Sequence, residues 1–390
     1  TRIAKGSPRM EGSAESHGAP LGADEVRATK QRLGSDPDSS FHVSEHAYEL
    51  FRQRADELRN RYDVWKRSFD AMSGELKAKW DRFFGGEPDI ASLRAKLPTF
   101  QAGSSHATRN AGGTVLASLF QEVPNLVGGS ADLAPSNKTF VKGFTESGRG
   151  KTGRNMHFGI REHAMGAIQN GIAYYGGFIP FSATFFVFMD YMRPAVRLAA
   201  LSGLHTVYVF THDSFHVGED GPTHQPVEHL AAARAIPNLT VIRPADAEET
   251  REAWLAALAN SSGPTALLLT RQNLPVLDRS AGCDASSLSR GAYVIGDPAK
   301  SAELIIMASG SEVSLAVDAA AALAGRGIAA RVVSFPSWEL FEKQSKEYRE
   351  SVLPPSLATR VVIEAGISMG WERYAGSSAL FITLERFGSS

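Results

Sequence analysis

The stretch "HTVYVFTHDSFHVGEDGPTHQP", residues 205–226, decides the fold. It begins as an apolar, β-branched and aromatic run with the length of a buried strand. It then turns polar: residues 211–226 hold three histidines, three acidic side chains and two glycines. In open α/β sheets, ligands sit beyond the carboxyl ends of the strands, so ionisable chemistry gathered there marks a candidate site.

Working outward, "NLVGGS", "LTVIRPA" and "TALLLT" read as further strands. Between them "IREHAMGAIQNGIAYYG", "FVFMDYMRPAVRLAAL", "PVEHLAAARA" and "AEETREAWLAALAN" show helical periods. Strands alternating with helices define a doubly wound, mostly parallel sheet, here over residues 99–280. A smaller α/β domain follows over 291–390, with strand "AELIIMASG", helix "SEVSLAVDAAAALAGRG" capped by Ser311, and strand "IAARVVSFP". Residues 1–40 are rich in Gly, Ser and Pro and read as loop and extended segment. Residues 41–98 read as a charged, solvated helical linker, a connecting helix pair.

The chain has 390 residues, 43% hydrophobic and 21% charged, with a formal net charge of -1. Such a balance offers no field for nucleic acid or an anionic membrane, and no apolar run reaches the length of a membrane span. One cysteine, Cys283, excludes an intramolecular disulfide framework and fits a reducing, cytoplasmic setting. The opening "TRIAKGSPRMEGSAESHGAPLG" and the closing "LFITLERFGSS" both read as cut ends of a longer chain.

Four stretches carry the candidate chemistry. In "GGSADLAPSN" (128–137) two glycines let backbone approach a ligand beside Ser130, Asp132 and Ser136, or form a well-capped turn. In "HFGIREHAMGAIQNG" (157–171) Glu162 opens a helix that soon becomes small and apolar. It reads either as a partly buried acid with a raised pKa or as a charge favoured at a helix start. In "SATFFVFMDYMR" (182–193) Phe185, Phe188 and Tyr191 recur every three residues on one helical face. That face is either core or the wall of a pocket for a flat heterocycle.

In the fourth stretch, His212 and Asp213 follow the strand, Glu219 and Asp220 lie between Gly218 and Gly221, and His224 stands where the next helix begins. Two histidines twelve apart lack a third metal ligand at a usual spacing. Proton transfer and hydrogen bonding to a polyhydroxylated ligand suit them better. Arg109 and Arg271 supply cations able to grip a phosphate, Arg271 from the same sheet edge as His212.

In combination these stretches resemble transketolase. "AKGSP", "HGAPLG", "GGSADLAPSN", "GIREHAMGAIQNGIA", "VGEDGPTHQPVEHLA", "IRPAD", "LTRQNLP" and "ASGSEV" occur in the order of that family along nearly the whole chain. The resemblance implies that 1–40 is the tail of a diphosphate-binding domain, 41–98 a linker, 99–280 the pyrimidine-binding domain and 291–390 part of the C-terminal domain. It implies thiamine diphosphate as cofactor, with Mg2+ or Ca2+ held by ligands in the diphosphate-binding domain and by none here.

By that resemblance Glu162 meets the aminopyrimidine ring, within a pocket of Phe185, Phe188 and Tyr191, with Asp132 and His17 near the cofactor. His17, His212 and His224 hydrogen-bond the sugar and move protons, and Asp220 reads a hydroxyl near the reacting carbon. Arg109, Ser136 and Arg271 hold the substrate phosphate. Phe215 and His216 stand where relatives often carry an aliphatic residue and a glycine, which bears on sugar preference. The implied reaction moves a two-carbon ketol unit from a ketose phosphate to an aldose phosphate, in the pentose phosphate pathway or Calvin cycle. The implied assembly is a homodimer with the cofactor between domains of two subunits. The alternatives are a non-catalytic fragment or subunit that needs a separate diphosphate-binding chain, and a relative such as dihydroxyacetone synthase.

Overall fold

The computed structural model describes residues 2–280, 284–298 and 301–388, which leaves Cys283 outside the described residues. Contacts divide the chain into two compact units, Thr1–Lys77 and Ala78–Ser390.

In the first unit, the segment expected as loop contains a helix, Ala23–Arg32. Acids in its first turn and bases in its last complement the helix dipole, a signal that the glycine-rich flanks obscured. Buried Glu25 accepts from the Arg9 backbone at 2.8 Å and the Arg9 guanidinium at 2.7 Å, fastening the preceding loop to the helix. A helix of 26 residues, Glu45–Asp70, starts at Ser44, whose hydroxyl accepts from the Ala47 amide. It buries none of its side chains, and Tyr48, Phe51, Leu58 and Tyr62 stand exposed at intervals of three, seven and four residues. Helix Gly74–Phe84 follows and Ile90–Lys96 belongs to the second unit, so residues 41–98 hold three helices rather than a pair.

The second unit is built on a six-stranded parallel sheet: β1 (Leu126–Ser130), β2 (Asn155–His157), β3 (Ile179–Phe185), β4 (Val207–Thr211), β5 (Thr240–Ile242) and β6 (Thr265–Leu269). The order is β2-β1-β3-β4-β6-β5, and every pairing is parallel. Every residue of β1, β3, β4 and β6 is buried, as a sheet covered on both faces requires. Val207 and Val209 pack with helices Thr108–Glu122 and Ala247–Ala259 through Leu116, Leu119 and Trp254. Tyr208 and Phe210 point to the other face, with Met165, Met192 and Val196 of helices Glu162–Tyr175 and Met189–Leu201.

Two expectations about this sheet need correction. Phe185 is the last residue of β3, not part of a helical face; a short 3-10 turn, Phe186–Phe188, separates it from the helix that starts at Met189. A fully buried strand shows no alternation, so its aromatic residues imitated a helical stripe. The glycines of "GGSADLAPSN" serve the sheet rather than a ligand. A Cβ on Gly129 would lie 1.7 Å from the Met156 carbonyl oxygen, and one on Gly128 would lie 2.0 Å from that of Phe181.

The C-terminal sheet comprises β7 (Tyr293–Gly296), β8 (Leu304–Ala308), β9 (Ala330–Ser334), β10 (Arg360–Ile363) and β11 (Leu380–Ile382) in the order β11-β10-β8-β9-β7. Only β7 runs antiparallel to its neighbour. Ser311 does precede the helix Glu312–Ala324, but its hydroxyl makes no capping bond. It is drawn instead to Glu312 at 2.6 Å and to Arg243 at 3.2 Å.

Candidate active site

Because β1 leads to β2 on one side and β3 on the other, the strand order reverses between β1 and β3, which opens a crevice at their carboxyl ends. Asp132 follows β1, Phe185 ends β3 and His212 follows β4. Asp132 and His212 both hold left-handed backbone, with φ of 62° and 59°. Non-glycine residues adopt that conformation at a cost, and such positions concentrate at functional sites.

The rings around this crevice form one array. Phe185 and Phe188 stack with centroids 5.9 Å apart and planes 10° from parallel, and Tyr191 lies 6.1 Å from Phe188. The His212 ring lies 3.8 Å from Phe185, and His224 meets Phe188 edge-on at 5.4 Å. Beside them opens a cavity of about 430 Å3 lined by Ala131, Leu133, Ile160, Phe188, Tyr191 and the carboxylates of Asp132 and Glu162. Glu162 is the first residue of its helix and is half-buried. Apolar walls with two carboxylates suit a flat heterocycle that carries hydrogen-bonding ring nitrogens, so the residues present fit the pyrimidine end of thiamine diphosphate.

His212 is fixed by a buried chain of hydrogen bonds. Ser130 Oγ donates to Asn137 Oδ1 at 2.6 Å, and Asn137 Nδ2 donates to Thr211 Oγ1 at 2.7 Å. Thr211 Oγ1 lies 2.9 Å from His212 Nδ1. While its oxygen accepts from Asn137, the Thr211 hydroxyl still has its own proton to give to Nδ1, an arrangement in which Nε2–H is a donor. Burial pushes the His212 pKa down to about 3, helped by the charges of Arg109, Arg271 and His224, so the ring stays neutral. Ser130, expected to face a ligand, is consumed inside this chain.

Two arginines approach the same rim. Arg109 donates to the Ser136 carbonyl at 3.1 Å, and burial followed by repulsion from Arg271 lowers its pKa. The Arg271 guanidinium lies so close to Gly218, at φ 82°, that a Cβ there would stand 3.0 Å from it. Asp220 is exposed in a 3-10 turn, and half-buried His224 ends a second such turn, Pro222–His224, rather than opening the next helix, which starts at His229. Phe215 and His216 stack on each other at 4.0 Å. His17 belongs to the first unit, exposed at the end of the turn Ala14–Ser16.

Arg243, Asn137 and Thr211 were not singled out from the sequence, and Asp213 was marked only by its place after the strand. Arg243 is fully buried and bonds Asp213 Oδ2 at 2.8 Å, Glu364 Oε1 at 2.6 Å, the Ser309 carbonyl at 2.8 Å and Glu312. Burial opposes its charge, but the carboxylates of Glu312, Asp213 and Glu364 outweigh that and hold it protonated. The available signal was a charged residue directly after the short strand "TVI". Among the described residues, three possible metal ligands gather at Asp190, Glu228 and His229. There Asp190 already accepts from the His229 ring at 3.1 Å, so the ring nitrogen nearest it is engaged.

Comparison with known proteins agrees with this geometry. Residues 104–276 match the transketolase pyrimidine binding domain, 291–390 the transketolase-like C-terminal domain and 1–85 the transketolase thiamine diphosphate binding domain. These matches define an α/β chain of the transketolase type, its parallel sheet corresponding to the pyrimidine binding domain. The chain belongs to the transketolase family. It is 47% identical to the transketolase of Halalkalibacterium halodurans, with all of this chain aligned to 59% of that protein's length. The transketolase of Pichia stipitis, solved in complex with sedoheptulose 7-phosphate, superposes with a TM-score of 0.89 at 40% identity, covering 100% of this chain and 58% of that one. A split-gene transketolase solved as an inactive β4 tetramer aligns at 26% identity with a TM-score of 0.58, over 72% of this chain and 90% of that one.

Proposed function

We propose that the chain supplies the pyrimidine half of a ketol-transfer site that acts on sugar phosphates, as the pyrimidine-binding part of a transketolase. The observation that carries this reading is the cavity between Glu162, Asp132, Phe188 and Tyr191, next to the His212–His224 rim. Bound there, thiamine diphosphate would supply the nucleophilic carbon and the electron sink. Glu162 would hold a proton at a ring nitrogen of the pyrimidine, while Phe185, Phe188 and Tyr191 keep water from the ring's faces.

On the substrate side, His212 would donate from Nε2 and His224 would move protons; by the family resemblance His17 would likewise bond the sugar. Asp220 would accept from a sugar hydroxyl. Arg109, Arg271 and the Ser136 hydroxyl would hold the phosphate, two guanidiniums meeting its charge. Mg2+ or Ca2+ would be held by the diphosphate-binding domain. The division into a diphosphate-domain tail, linker, pyrimidine-binding and C-terminal domains belongs to the same proposal, as does a cytoplasmic setting.

A homodimer is supported by exposed apolar side chains on two adjacent helices: Ile168, Tyr174 and Tyr175 on Glu162–Tyr175, and Tyr191, Leu198 and Leu201 on Met189–Leu201. A second reading, a subunit that works only beside a separate diphosphate-binding chain, is favoured by the likeness to the split-gene protein. Ketol transfer from a ketose phosphate to an aldose phosphate decides between them. The 390-residue chain is assayed alone and with a transketolase diphosphate-binding domain added in trans. We expect activity only in the mixture; activity of the chain alone refutes the need for a partner, and none in either case refutes the catalytic reading.

A further inference from the structure

The C-terminal sheet domain carries a second concentration of cations. A cavity of about 370 Å3 is lined by Lys346, Arg349, Arg360 and Arg373 against only two acids, Glu342 and Glu350. The charges are poorly matched. Glu342 Oε2 serves both Arg349 Nη1 at 2.8 Å and Arg373 Nη2 at 3.0 Å. Lys346 reaches Glu350 only at 3.7 Å. Among the described residues, Arg360 donates to the carbonyls of Leu357, Leu353, Pro354 and Tyr374 and to no carboxylate. Burial lowers its pKa, the mark of a desolvated charge without a counterion.

Two further polar atoms in this wall are buried and have no hydrogen-bond partner, Arg349 Nε and the Tyr374 hydroxyl. Tyr374 is only 5% exposed. Burial, and then the Glu342 carboxylate, by its charge and by the pull of its oxygens on the phenolic proton, push its pKa up, so the phenol keeps its proton and has no acceptor within normal hydrogen-bond distance. Buried donors left unpaired in a native protein call for an acceptor.

We infer that this cavity binds a small phosphate-bearing anion, with Arg349, Arg373 and the Tyr374 hydroxyl donating to its oxygens and Lys346 adding charge. A phosphate dianion matches the surplus of two cations. Its tetrahedral oxygens suit donors that converge from separate segments better than a planar carboxylate does. The cavity is larger than one phosphate and falls within the range of small-ligand pockets, so the body of a phosphomonoester can lie against Phe341 and Leu353. The site is independent of the Arg109–Arg271 rim, which belongs to the parallel sheet.

The test is calorimetric titration of the 390-residue chain with inorganic phosphate and with glycerol 3-phosphate at low ionic strength. All titrations use an Arg271→Gln background, which removes the other proposed phosphate position. Saturable binding is expected, weakened about tenfold or more by Arg349→Gln or Arg373→Gln, a loss in the range of one charge-assisted hydrogen bond. Glu342→Gln, which frees two guanidiniums, is expected to tighten it. Tighter binding of the ester identifies an organic phosphate as the ligand class, and equal binding identifies the phosphate group alone. Absence of saturable heat, or one affinity across all variants, overturns the site and leaves only diffuse ion attraction. Arg373 is 63% exposed, so its variant tests binding without disturbing the fold.

Discussion

Arg243 Nε donates to Asp213 Oδ2 at 2.8 Å with both side chains buried, and that bond ties the turn after β4 to the segment that follows β5. Through the same guanidinium, the backbone of His212 is braced against Glu312 and Glu364. Replacing Arg243 by Met leaves Asp213 and Glu312 without their buried cation and Glu364 with Arg234 alone, and removal of one partner from a buried pair costs about 3–5 kcal/mol. Urea unfolding should show a loss of that size, and one under about 1 kcal/mol would mean that water replaces the cation.

Thr211→Val keeps the side chain's shape while removing the hydroxyl that addresses His212 Nδ1. Asn137 Nδ2 then loses its acceptor, at about 1–3 kcal/mol. Nitrogen-15 spectra of the imidazole should show a single Nε2–H tautomer in the parent chain and a mixture in the variant. An identical spectrum in both would remove Thr211 from the control of His212.

His212 sets a pH dependence of known sign. Its folded pKa, about 3, lies below its ordinary 6.5, so the unfolded chain binds more protons between those values. The stabilising contribution is therefore complete above pH 6.5 and is lost as pH falls towards 3. The His212 ring resonance should stay flat from about pH 8 to about pH 4.5, where a free imidazole would titrate. A midpoint near neutrality would contradict the buried environment.

Glu162→Gln retains volume and removes the ionisable proton. With the diphosphate-binding domain supplied, ketol transfer should fall by about 10²–10⁴, the usual range for a general acid or base. Because Glu162 is half-buried and bounds an open cavity, the melting temperature should hardly move. A full-rate variant assigns the proton to another group.

Gly129→Ala places a methyl group 1.7 Å from the Met156 carbonyl oxygen, inside the β1–β2 pairing. Backbone must move, and stability should drop by at least about 3 kcal/mol, the severe end of overpacking. Gly296→Ala, which meets nothing within 4 Å, serves as the neutral control. Similar melting curves for the two variants would argue that β2 separates readily from the sheet.

Much of the parallel sheet was legible because β4, β5 and β6 are short apolar runs set between strongly periodic helices. β3 was not, since its burial on both faces leaves no period to read and "SATFF" runs straight into the next turn. At the site, Glu162, Asp132, His212 and the three aromatic residues were recognisable as side chains suited to chemistry at strand ends. Asn137, Arg243 and the pairing of Asp213 escaped because their roles depend on partners far along the chain, with Arg243 reaching Glu364 across 121 positions. The glycines misled for a related reason: Gly129 answers to Met156, a strand away.

Trp371 donates from its indole nitrogen to Glu364 Oε2 at 3.1 Å, and Glu364 is the carboxylate that Arg243 and Arg234 also hold. An indole bound in this way, fully buried beside the stacked Arg234 guanidinium, emits according to the local charge arrangement. With the other four tryptophans replaced, the chain contains its own optical gauge: the colour and lifetime of Trp371 fluorescence report, without any attached dye, whether the C-terminal domain still grips the turn that carries His212.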